Sequence, residues 1–145
     1  MFTLYFIYKI IIFLEKIIIL HKNMNDNNLH NKYIGNKGED IAEGFLLNKG
    51  YEIVERNFRF GKEGEIDIIV SDRDTLIFVE VKTRTNHKFG NPILSITEKK
   101  KRQMRFAANG YMLKNNIVDG QCRIDVVTID MVVNPPEITH LENAF

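Results

Sequence analysis

Crosslinking by sulfur is closed to this chain, whose 145 residues include a single cysteine, Cys122. It has no partner for an internal disulfide and no His or Cys neighbour at zinc-ligand spacing. A disulfide scaffold and a zinc ribbon are thereby excluded, and a reducing, cytoplasmic setting is the simplest expectation. Histidine is sparse too: His21, His30, His87 and His140 are scattered, with no pair at metal-binding spacing. Gly35 and Gly38 lack the Gly-Lys-Ser/Thr ending of a phosphate loop and follow no strand, so they do not mark one. There is no internal repeat or low-complexity tract. Net charge is almost absent, +1 from 20 basic and 19 acidic side chains. What is present is a chain 44% hydrophobic and 27% charged, the composition of a folded domain rather than a disordered tail.

The near-zero total hides a division. Residues 82–105 contain Lys82, Arg84, Lys88, Lys99, Lys100, Lys101, Arg102 and Arg105 against one acid, Glu98. That segment carries +7 and the rest of the chain −6. A basic face on an acidic body suits a polyanion such as nucleic acid, although charge runs are also commonly solvated helix faces.

Residues 1–20, MFTLYFIYKIIIFLEKIIIL, are far more apolar than the rest of the chain. Lys9, Glu15 and Lys16 interrupt the run, and no small-residue cleavage site of a secretory signal is visible. Residues 21–31 are polar, are expected to form a linker, and contain a second methionine, Met24. The expectation is that Met24 is the biological start and that the preceding stretch is translated upstream sequence. The competing expectation is an interfacial membrane anchor, so a membrane partner is expected only if residues 1–20 are genuine. The functional domain is placed at 32–145.

Within that domain, Tyr33–Lys49 reads as a helix with Ile41, Ala42, Phe45 and Leu46 on its apolar side and Gly50 as its stop signal. Tyr51–Phe60, Glu65–Val70 and Leu76–Lys82 read as strands, Ser95–Leu113 as a second helix, and Arg123–Met131 as a fourth strand. Pro135-Pro136 is expected to end regular structure. The order helix, three strands, helix, strand predicts an α/β sandwich around a mixed sheet.

Acids inside apolar strands carry the chemistry, because an ionised carboxylate is expensive to bury without a partner. Asp67 interrupts the second strand and Glu80 the third, with Lys82 on the same face as Glu80. If Arg73-Asp74 is a two-residue turn, facing residue numbers sum to 147 and Asp67 faces Glu80; a three-residue loop slips the pairing by one. Two adjacent carboxylates repel unless a proton or cation sits between them. A hard divalent cation, Mg²⁺ or Mn²⁺, suits such oxygen ligands and can stabilise charge on a phosphoryl oxygen, with Lys82 placed to orient water. The structural alternative is a salt bridge within the sheet. Glu39, on the inward strip of the first helix, is a further candidate ligand or else a carboxylate stabilised by the helix start. Asp125 is another acid in an apolar strand; packing against Arg123 explains it equally well, and it is left out of the catalytic set.

The series Gly35-Asn36-Lys37-Gly38-Glu39-Asp40-Ile41-Ala42, Gly50-Tyr51, Arg56-Asn57-Phe58-Arg59, Gly64-Glu65-Ile66-Asp67-Ile68-Ile69 and Phe78-Val79-Glu80-Val81-Lys82-Thr83-Arg84 resembles the bacterial YraN-type family. Phe89-Gly90, Lys100, Ala107-Ala108 and Arg123–Val127 extend the likeness, which covers roughly Tyr33–Met131. That family in turn resembles the restriction-endonuclease-like superfamily, above all archaeal Holliday-junction resolvases. The resemblance implies a three-layer sandwich with Glu39, Asp67, Glu80 and Lys82 in catalytic positions, the three acids serving as metal ligands. It implies a DNA endonuclease, with branched DNA among its substrates and a homodimer by analogy. Ile66 stands where the wider superfamily has Pro, and residues 1–23 have no counterpart in the pattern. Arg84, Lys99, Lys100, Lys101, Arg102 and Arg105 are the expected phosphate-binding residues, giving orientation more than base specificity. The competing expectation is a nucleic-acid-binding or adaptor protein that keeps the fold without turnover.

Overall fold

The computed structural model describes residues 2–86 and 96–145; between residues 2 and 25 only part of the side chains are described. His87, Lys88 and the expected break at Phe89–Pro92 lie outside the described residues. Helix α1 spans Phe2–Asn48. Its first part belongs to a compact unit ending at Ile34, and a second unit runs Gly35–Phe145. The segment 21–31, expected as a linker, is helical, and no proline or glycine interrupts the chain before Gly35. Among the described residues no helix is long and apolar enough to cross a membrane.

In the second unit five strands succeed the helix, β1 (Glu52–Phe60), β2 (Gly64–Asp72), β3 (Thr75–Arg84), β4 (Gln121–Asp130) and β5 (Glu137–Leu141), with α2 (Glu98–Lys114) between β3 and β4. The sheet order is β1-β2-β3-β4-β5. Only β3 and β4 run parallel, joined through α2, so the sheet is mixed. This is the expected α/β sandwich with restriction-endonuclease-like topology. The strand β5 corrects the expectation that regular structure ends at Pro135-Pro136. The prolines occupy the connection, and the five residues beyond them return antiparallel along β4 as a short edge strand.

Each face of the sheet has its own core. Residues Ala42 and Leu46 of α1 pack with Tyr51, Ile68, Val70, Ile77, Val79, Val81, Val127 and Ile129. On the other face Met104, Ala107, Ala108 and Tyr111 of α2 pack with Phe58, Ile66, Ile69, Phe78 and Ile124. The helix α1 closes at Gly50, whose φ of 88° is open to glycine at little cost. Gly38 lets α1 lie directly on β3, because a Cβ there would overlap Thr83 Oγ1. Thr97 caps α2, its Oγ1 accepting the Lys100 N–H at 3.2 Å, which sets the helix start three residues later than the sequence pattern predicts.

Candidate active site

The β2–β3 hairpin turns at Arg73-Asp74, with Arg73 at a φ of 53°. Paired residues run from Asp72↔Thr75 to Ile68↔Val79, the register that a two-residue turn predicts. The ladder stops one pair short of Asp67 and Glu80. There the Val81 N–H donates to Asp67 Oδ2 at 2.7 Å, so a side chain replaces the next main-chain partner.

An irregularity in β1 accompanies this break. Asn57 has a φ of 53°, and its neighbours Arg56 and Phe58 pair with Ile68 and Ile66, the residues flanking Asp67. Ile66 packs on the α2 face but Ile68 on the α1 face, so strict alternation fails across Asp67. Asparagine tolerates the left-handed backbone that such a kink requires.

Glu80 is 1% exposed. Its Oε1 lies 2.5 Å from Lys82 Nζ and its Oε2 2.8 Å from Lys100 Nζ. Each carboxylate oxygen thus has an ammonium against it, one from β3 and one from α2. Burial, then the charge of Glu80, pushes the Asp67 carboxyl up to about 7, against the Val81 N–H and the ammoniums of Lys100 and Lys82. Burial opposes the charge on Lys100, but Glu80 and then Asp67 outweigh it and hold its pKa above the ordinary lysine value.

Lys100, expected among the phosphate-binding residues, lies against Glu80 in this structure. It lies four residues before Met104, seven before Ala107 and eleven before Tyr111, on the inward stripe of α2. That spacing is the available signal. Lys99 and Arg102 point to solvent and make no ion pair among the described residues. Lys101 pairs with Glu98 at 2.6 Å, while Lys101 and Arg105 both lie over the Phe145 ring. Arg84 faces Asp130 at 3.6 Å.

Glu39, 16% exposed, has a guanidinium as its partner. Together with Asp40 and Glu43 it surrounds Arg56, at 3.4, 3.0 and 2.6 Å respectively. Among the described residues no group of three or more His, Cys, Asp or Glu side chains is placed to hold a metal ion. The Asp67–Glu80 pair nonetheless suits a hard cation. It offers oxygen donors and a mutual repulsion that a cation would relieve.

Asp125 has the partner expected of it and two more. Arg123 Nε reaches its oxygens at 3.0 and 3.2 Å, His140 Nε2 lies at 2.8 Å, and the Asn143 N–H donates at 2.8 Å. Burial raises its pKa, but these partners more than reverse that and hold it below the ordinary aspartate value.

Residues 38–129 match the model of the Uncharacterised protein family UPF0102. A UPF0102 protein of Geobacter metallireducens is 45% identical over 117 residues, covering 81% of this chain and 95% of the relative. One from Clostridioides difficile is 43% identical over 117 residues, covering 81% and 100%. One from Phocaeicola vulgatus is 41% identical over 116 residues, covering 80% and 93%.

Proposed function

This chain belongs to the Uncharacterised protein family UPF0102, and from that premise we propose that it is a cytoplasmic, metal-dependent endonuclease that hydrolyses phosphodiester bonds in DNA. The resolvase likeness puts branched DNA among the candidate substrates and suggests a homodimer by analogy. The single observation that carries the reading is Glu80: a carboxylate 1% exposed, beside a second acid whose pKa it raises, with two ammoniums at its oxygens. A structural ion pair gains nothing from placing a second carboxylate beside the first.

Asp67 and Glu80 would hold Mg²⁺ or Mn²⁺, which supplies positive charge against the phosphate and against the charge that develops as the bond breaks. Lys82, one-third exposed at the mouth of the pair, orients the attacking water and stabilises developing negative charge. Lys100 holds the inner oxygen of Glu80 and so fixes the carboxylate in place. Lys99, Lys101, Arg102 and Arg105 on α2, and Arg84 at the end of β3, attract and orient the backbone. Binding through them weakens steeply with salt as counterions are released. Glu39 joins the metal set only by giving up Arg56.

A second reading is favoured by the two lysines that already neutralise Glu80 and by the missing third acid among the described residues. It is a nucleic-acid-binding adaptor that keeps the fold without turnover. Cleavage of linear, flapped and four-way DNA in Mg²⁺ separates the two. The enzyme reading expects Glu80→Ala to lower the rate at least about 10³-fold. Binding without cutting by wild type would support the adaptor, and equal cutting by both proteins would expose a contaminant.

A further inference from the structure

Between the β1–β2 turn and α2 lies a cleft of about 510 Å³ that the metal and water chemistry leaves unused. The Gly61–Glu63 turn between β1 and β2 forms one wall, and Lys99, Arg102, Gln103 and Phe106 of α2 form the other. The α2 residues fall at i, i+3, i+4 and i+7, one continuous stripe next to the inward one that carries Lys100. Phe106 is 51% exposed, a large aromatic ring left open to water. The ring of Phe60 backs it, with centroids 5.3 Å apart at 57°, so its position is fixed from behind.

Charge around the ring is one-sided. Lys62, Lys99 and Arg102 line the cleft with one acid, Glu63; they make no ion pair among the described residues, although the Glu98 carboxylate lies within electrostatic reach of Arg102. A fixed aromatic face bordered by free cations is the arrangement that stacks a base and holds its phosphates. The volume lies within the range of small-ligand pockets. A base within a duplex has both faces covered by its neighbours and cannot enter.

The geometry points to this cleft as a pocket for an unpaired nucleotide, its base on Phe106 and its phosphates on Lys62, Lys99 and Arg102. The inference rests on the proposed nucleic-acid function and narrows its substrate class to DNA with an unpaired base near the cleavage point. Lys99 on the cleft wall is followed in α2 by Lys100, whose Nζ meets Glu80 Oε2 at 2.8 Å.

The test is equilibrium binding by the full chain in EDTA, so that cleavage plays no part. One probe carries 2-aminopurine in a short single-stranded gap; the other is the fully paired duplex of the same sequence. Wild type is expected to prefer the gapped probe and to change its 2-aminopurine emission. Phe106→Ala should lose about tenfold on the gapped probe, the scale of one base stack, with little change on duplex; Phe106→Tyr should restore binding. Lys99→Glu should weaken both. Wild type binding both probes equally, or Phe106→Ala matching wild type on the gap, would overturn the pocket alone. Wild type binding neither probe would overturn the nucleic-acid function itself.

Discussion

Asp125 and Glu80 are acids buried to 0% and 1% exposure in neighbouring parallel strands, Asp125 paired with Val79 and Glu80 with Val126. They face opposite sides of the sheet and differ in how completely they are satisfied. Asp125 receives a guanidinium, an imidazole and a main-chain N–H, and its pKa is lowered. Glu80 has two ammoniums at its oxygens, no main-chain N–H donor among the described residues, and a second acid close enough that its charge raises that acid's pKa. Equal burial thus serves different ends. A saturated carboxylate ties β4 to β5 and to Tyr51, through Arg123 Nη2 at 3.1 Å from the Tyr51 hydroxyl. An under-satisfied pair retains capacity for a further cation.

Substitution breaks the comparison most directly. Asp125→Ala leaves Arg123 and His140 facing an uncompensated site and should cost about 3 kcal/mol in denaturant unfolding. Glu80→Gln should cost under about 1 kcal/mol, because Lys82 and Lys100 are partly exposed and can turn toward water. Equal losses would mean that both acids are structural.

The two faces should also respond to pH with opposite signs. The folded state binds the Asp67 proton up to about 7 against an ordinary value of 3.8. Between those values the native state holds more protons than the unfolded one, so this group lowers stability as pH rises. Melting temperature without divalent cation should therefore decline more from pH 5 to pH 8 in wild type than in Asp67→Asn, and Mn²⁺ should reverse the decline. Asp125 contributes stability that is present above its unfolded value of 3.8 and lost as pH falls below it. Asp125→Asn should remove that acid limb while leaving the neutral one.

The smallest effect is expected at Glu39, one of three acids around Arg56. Glu39→Gln should change stability by less than about 0.5 kcal/mol and leave cleavage within a few-fold of wild type. A loss as deep as that of Glu80→Ala would return Glu39 to the metal set.

Much of the fold and part of the site are legible in the chain. The hairpin register comes from two apolar runs and a short polar turn, and it puts Asp67 and Glu80 next to each other without coordinates. The basic stripe is equally visible, but its division is not. Charge counts make Lys100 a phosphate contact because they ignore helix rotation, and Met104, Ala107 and Tyr111 turn it inward. Helical spacing makes Glu39 inward, yet Arg56 reaches it from β1, 17 residues away. The strand β5 is hidden by the two prolines before it, and with it His140, whose partner Asp125 lies 15 residues back.

Sequence by itself determined four of the five strands and the short polar turn that joins β2 to β3, because hairpin pairing is set by residues that are neighbours along the chain. Tertiary structure alone decided which cation meets which acid. Those partners come from separate elements, and their distances depend on how deeply and at what rotation each helix packs onto its face of the sheet.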